Sequence, residues 1–106
     1  MIMFGNLFRK EYTLDELSEI VGQVARRHNI TAVYLFGSRA RGDNRRDSDY
    51  DMIVETAPGF RLFDLFAFQD DLETILKHEV DAMTVGALRD DNFSRTVLRE
   101  RVKIYG

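Results

Sequence analysis

An apolar, β-branched run that stops at a glycine, followed shortly by Ser48-Asp49-Tyr50-Asp51, restricts the possible folds of this chain more than any other feature. Ile30 to Phe36 reads as a buried strand because it is rich in Val, Ile, Tyr and Phe. Gly37 ends that strand. Ser38 to Arg41 predicts a short helix or turn closed by Gly42, and a polar loop, Asp43 to Ser48, leads into a second strand, Asp49 to Val54. One strand thus ends on a residue that permits close backbone approach, and the next begins with two carboxylates.

The rest of the chain supplies a scaffold. Thr13-x-x-Glu16 has capping-box spacing, and the stripe Leu14, Leu17, Val21, Val24 predicts a helix ending near His28, with Asn29 as a left-handed cap. Pro58-Gly59 marks a turn. A second long helix is predicted over about Leu62 to Lys77, with Leu62, Leu65, Phe66, Leu72 and Leu76 on one face. Glu79 to Thr84 reads as a third strand, Asp90 to Arg99 as a helix, and Val102 to Tyr105 as a last strand. This alternation predicts an α/β (α+β) class, a small sheet flanked by helices.

A chain of 106 residues has room for one core, so residues 1–106 are expected to form a single domain with residues 1–12 as an N-terminal arm. With no cysteine, disulfides and thiolate zinc sites are excluded, and two isolated histidines make a histidine metal site implausible. Met1-Ile2-Met3-Phe4 is too short for a signal sequence, and Arg9 and Lys10 follow it rather than precede it. No run reaches the roughly 18 apolar residues of a membrane span, so a cytoplasmic, membrane-free protein is expected. The net charge of −3 argues against general attraction to nucleic acid. Any bound anion is then expected at the local cluster Arg39, Arg41, Arg45 and Arg46.

The chemistry concentrates between Gly37 and Asp51. Side chains alternate along a strand, so Asp49 and Asp51 are expected on one side, with Cα atoms about 6.6–7 Å apart. Carboxylates so placed can converge on shared divalent ions, and an all-oxygen donor set favours Mg2+, with Mn2+ as the alternative. The turn at Gly37 and Ser38 offers backbone N–H groups and a hydroxyl to phosphate oxygens. Arg39 or Arg41 could add a guanidinium fork, and spacing does not choose between them. An EF-hand is ruled out because Met52 stands where its glycine belongs and Pro58 where its glutamate belongs.

Gly37-Ser38-Arg39-Ala40-Arg41-Gly42 followed by Ser48-Asp49-Tyr50-Asp51 and an apolar run resembles the signature of the nucleotidyltransferase fold shared with DNA polymerase beta. Within that superfamily the chain is similar to the minimal nucleotidyltransferases, or MNT proteins, over nearly its whole length. The resemblance implies a small mixed sheet flanked by helices. It implies that Gly37 and Ser38 bind the β- and γ-phosphates and that Asp49 and Asp51 ligate two metal ions. A third carboxylate, on a later strand, would help hold a metal and activate the acceptor hydroxyl. Asp81 occupies the matching place, with Glu79 as its rival. MNT proteins are typically paired with a helical HEPN-type ribonuclease toxin. The resemblance therefore implies an antitoxin that moves AMP from ATP to a tyrosine hydroxyl of that partner.

Two other functions stand beside this one. One is an antitoxin that masks its toxin by binding alone; the other is a transferase acting on a small molecule such as an aminoglycoside. Nucleic-acid polymerisation is disfavoured by the acidic charge balance. Tyr50 alternates away from the aspartates and is expected in the core. His28 is read as a helix C-terminal cap and His78 as a surface residue, while Arg45 and Arg46 are read equally as local balance for Asp43 and Asp47 or as substrate-binding groups. Phe63 falls off its helix's apolar stripe. With Met1, Met3, Phe4 and Phe8 it suggests apolar surface that a partner covers.

Overall fold

The computed structural model describes residues 10–106. In chain order the elements are α1 (Leu14–Ala25), β1 (Ile30–Phe36), α2 (Ser38–Arg41), β2 (Tyr50–Thr56), α3 (Leu62–Leu76), β3 (Val80–Thr84), a 3-10 turn (Val85–Ala87), α4 (Asn92–Glu100) and β4 (Val102–Tyr105). The sheet order is β3-β2-β1-β4. β1 pairs antiparallel with both β2 and β4, whereas β2 and β3 are parallel and joined through α3. The expected small mixed α/β sheet is present.

The start of α1 has a local cause. The Glu16 N–H donates to the Thr13 hydroxyl (3.1 Å), and the Thr13 N–H donates back to the Glu16 carboxylate (2.9 Å), closing the capping box. α1 ends at Ala25, earlier than its stripe predicts. Three-residue bonds from the N–H groups of Arg27 and His28 tighten its end, and Asn29 turns left-handed at φ 57°. His28 does not cap the helix. Its Nε2 pairs with the Asp71 carboxylate of α3 at 2.7 Å.

α3 is rotated relative to its predicted face. Leu65, Phe68, Leu72 and Leu76 are buried at steps of three and four residues, while Leu62 and Phe66 are exposed. Phe66 lies about 100° round the helix from Leu65, and Phe68 completes the unbroken stripe instead. Phe63 faces solvent as expected. Met1, Met3, Phe4 and Phe8, the other parts of the apolar surface read from the sequence, lie outside the described residues. α3 also blunts the edge of the sheet. Glu73 and Gln69, one turn apart, accept from the outward N–H groups of Val80 (2.9 Å) and Ala82 (2.7 Å) on the edge strand β3.

The two sheet faces are unequal. α1 and α3 bury one face around Leu35, Tyr50, Met52, Val54, Phe68 and Leu72. Among the described residues, the other face carries only a small cluster, Phe36, Ile53 and Val97, packed with Tyr34, Met83 and Leu88. Because Asp51 lies between Tyr50 and Met52, alternation turns it toward the thinly covered face. That face holds the site.

Candidate functional site

Asp51 is the centre of the arrangement. Its Cα partners are Phe36 on β1 and Asp81 on β3. Directly paired residues share a face, so the Asp81 carboxylate stands beside that of Asp51 at the strand spacing of about 5 Å. Glu79 lies outside β3, which begins at Val80, so register favours Asp81 over its rival. Asp49 is likewise outside its predicted strand. β2 starts at Tyr50, and Asp49 is the exposed last residue of the loop.

The three carboxylates nevertheless act on one another. Half-buried Asp51 is held above its ordinary pKa first by burial, then by the charges of Asp81 and Asp49, with only Arg41 opposing them. Among the described residues, no three Asp, Glu or His side chains are drawn close enough to hold a metal ion as they stand. The donor set itself fits a hard divalent cation: three carboxylates, one of them destabilised by the other two.

Gly37 forms the wall of this cluster. It has φ 74° and ψ −156°, and a Cβ added there would stand 2.5 Å from Asp51 Oδ2. Only glycine lets the turn close against the carboxylate. α2 begins at the next residue. The N–H groups of Ala40 and Arg41 donate to the Gly37 carbonyl, whereas those of Ser38 and Arg39 open the helix and have no acceptor within it. Gly42 ends α2 as the sequence predicts, and does so left-handed at φ 83°.

The two arginines have different work. The Arg39 guanidinium turns away from the carboxylates into the polar loop. It donates to the carbonyls of Ser48 (2.9 Å) and Arg46 (3.1 Å), pairs with Glu11 (3.3 Å) and covers the Tyr50 ring at 4.2 Å. Its side chain is only 6% exposed. Arg41 is the arginine whose charge reaches Asp51, and it bonds Asp43 and Glu100 of α4, each at 3.1 Å. Of the pair left open by spacing, geometry brings Arg41 to the cluster and gives Arg39 a structural task. The carbonyls of Arg45 and Arg46 serve that task too.

His78 is buried rather than at the surface. It meets Tyr50 edge to face at 5.3 Å, and its ring nitrogens bond Arg39 (3.3 Å) and the Lys10 carbonyl (3.2 Å). Tyr50 is in the core as expected, and its hydroxyl has no hydrogen-bond partner among the described residues. Two features escaped the sequence reading: the Arg41–Glu100 tie and Phe93, which meets Phe36 beside the site. The available signal was a phenylalanine at the start of a strongly amphipathic segment.

The nucleotidyltransferase domain family matches residues 17–104. The chain belongs to that family. A protein of Methanocaldococcus jannaschii, provisionally named a protein adenylyltransferase, is 33% identical over 82 residues, covering 72% of this chain and 93% of that one. The protein adenylyltransferase MntA of Thermococcus cleftensis is 29% identical over 96 residues, covering 87% and 96%. A solved structure provisionally named a minimal nucleotidyltransferase superposes with a TM-score of 0.73 at 33% identity, covering 88% of this chain and 97% of that one. A toxin–antitoxin structure with AMP-PNP gives a TM-score of 0.71 at 21% identity, covering 84% and 73%, and shares the fold. This minimal nucleotidyltransferase is therefore an enzyme of the nucleotidyl-transfer class. Among its described residues, no helix is long and apolar enough to cross a membrane.

Proposed function

We propose that this nucleotidyltransferase is an antitoxin that transfers AMP from ATP to a tyrosine hydroxyl of a HEPN-type toxin partner. The register of Asp51 against Asp81, with Gly37 closed on the Asp51 carboxylate, carries this reading. The MntA relative, named a protein adenylyltransferase, supports a protein as the acceptor. Ser38, through its N–H and hydroxyl, receives the β- and γ-phosphates, and Gly37 keeps side-chain bulk out of their path. Arg41 lies close enough to exchange one of its carboxylate partners for a phosphate oxygen. Asp49, Asp51 and Asp81 would hold Mg2+ or Mn2+, which when bound supplies charge neutralisation at the reacting phosphate. Asp81, the exposed member of the facing pair, takes the tyrosine proton as the tyrosine oxygen bonds the α-phosphorus. The bond from that phosphorus to the bridging oxygen breaks, and pyrophosphate leaves against Ser38.

Intact-mass measurement of a HEPN-type toxin from the same genome, incubated with this protein, ATP and magnesium, tests the proposal. One or more AMP additions are expected, and none with the Asp49→Asn/Asp51→Asn variant. Toxin that is neutralised without any gain in mass would replace transfer with inhibition by binding. Modification of small hydroxylated acceptors without any partner would favour the aminoglycoside-type reading.

A further inference from the structure

We propose that Phe93 is the residue on which the nucleotide's base stacks. This rests on the reading above, in which the triphosphate lies against Gly37 and Ser38.

Phe36 is the Cα partner of Asp51, so their side chains stand side by side on the thinly covered face, and Phe36 directly precedes the phosphate turn. Phe93 reaches over from α4 and meets Phe36 edge to face, with ring centroids 6.2 Å apart and an interplanar angle of 79°. Phe36 is buried, yet Phe93 remains 55% exposed. The ring thus touches Phe36, whose strand neighbour is Asp51, and the residue stays largely open to solvent.

Phe93 owes its position to neighbours rather than to its own burial. At the start of α4 the Ser94 N–H donates to the Asp91 carboxylate (2.7 Å), and the Ser94 hydroxyl accepts from the Arg89 N–H (2.9 Å). Val97 anchors the helix in the small cluster with Phe36. At the far end Glu100 is tied to Arg41 of α2, the helix that opens at the phosphate turn. An aromatic ring fixed in this way is preorganised to receive a planar partner at little cost in order. Location also separates it from the other exposed aromatics. Phe63 and Phe66 lie on α3, which packs against the opposite face of the sheet.

Stacking accepts any base, because every base offers a π-face, so Phe93 strengthens nucleotide binding without choosing adenine. Calorimetric titration of ATP and of inorganic tripolyphosphate, each with magnesium, into the wild-type protein, Phe93→Ala and Phe93→Tyr tests this. Expected is a loss of about 5- to 150-fold in ATP affinity for Phe93→Ala, with tripolyphosphate affinity unchanged and ATP affinity kept in Phe93→Tyr. Unchanged ATP affinity in Phe93→Ala would overturn the assignment while leaving the phosphate site intact, and would pass the exposed ring to a protein contact. Equal weakening of both ligands would also overturn it, since the loss would then come from a displaced phosphate turn. Wild-type protein that binds neither ligand would overturn the phosphate reading, and this one with it.

Discussion

Replacing Gly37 with alanine puts a methyl group 2.5 Å from Asp51 Oδ2, and ordinary contact needs at least 3.4 Å. The carboxylate must therefore retreat by about 1 Å, a misplacement that costs on the order of 100-fold in rate where reacting groups depend on position. The backbone adds its own penalty. At φ 74° and ψ −156°, Gly37 occupies a region essentially closed to other residues, worth about 1–3 kcal/mol. Gly42 provides the internal control. It is also left-handed, at φ 83° and ψ 11°, but an added Cβ there meets nothing within 4 Å among the described residues. Gly42→Ala should cost about 1–2 kcal/mol of stability through backbone strain and leave the site undisturbed. Urea denaturation measures the stability of both variants, and the initial rate of AMP transfer measures the site. Both are expected to be destabilised, with the hundredfold rate loss confined to Gly37→Ala. Equal rates in the two variants, at a temperature where both are folded, would refute the idea that Gly37 serves the Asp51 carboxylate.

Three further outcomes follow from the same contacts. Arg39→Ala should lose about 2–4 kcal/mol in urea denaturation, since it orphans the Ser48 and Arg46 carbonyls and uncovers Tyr50, and Arg39→Lys should recover only part of that. Unchanged stability with weakened ATP binding would return Arg39 to the phosphates. Asp91 caps α4, and the Ser94 N–H, then the Ser94 hydroxyl, hold its carboxyl below the ordinary value of 3.8. A lowered carboxyl adds stability that is present above its unfolded value and lost as pH falls through the lowered one. Thermal melts should thus separate Asp91→Ala from wild type at pH 7, and the gap should narrow below about pH 4; a constant gap would remove the carboxylate from the explanation. Asp51 is shifted the opposite way, so its charge opposes folding once pH exceeds the carboxylate range. Asp51→Asn should melt above wild type at pH 7 without divalent cations and gain less from added magnesium. A variant less stable than wild type under those conditions would contradict the repulsion.

Strands were legible where local chemistry and tertiary placement agree. Ile30–Phe36 and Val102–Tyr105 match their predicted bounds because each is a short apolar run between clear breaks. The helix Ser38–Arg41 was equally legible, since glycines on both sides punctuate it. Errors came where two stripes compete or where a partner is distant in sequence. Along α3, Leu62 and Phe66 are as apolar as Leu65 and Phe68, and only the angle at which the helix meets the sheet decides between them. His78 reads as a surface residue until Arg39 and Lys10 arrive to satisfy its two nitrogens. Arg39 and Arg41 are equivalent by spacing, but α2 turns one into the loop and the other toward Asp51.

The three aspartates are not equivalent either, and their differences follow from where β2 begins. Asp51 is inside the strand, held by partners on both sides and half-buried, so it cannot move far from its neighbours. Asp49 precedes the strand and Asp81 is exposed on the edge strand, so both side chains have open room to turn. Charge is therefore fixed at one point and adjustable at two. Among the described residues, Arg41 is the one cation opposing the raised pKa of Asp51, and it already balances Asp43 and Glu100. The described residues thus leave this corner short of positive charge, and Asp51 carries the cost. A ligand that brings positive charge to Asp51 relieves that cost, while one that brings phosphate finds the N–H groups of Ser38 and Arg39 beside it. A triphosphate accompanied by a divalent cation meets both needs together, which is why the carboxylates and the glycine turn are best understood as one site.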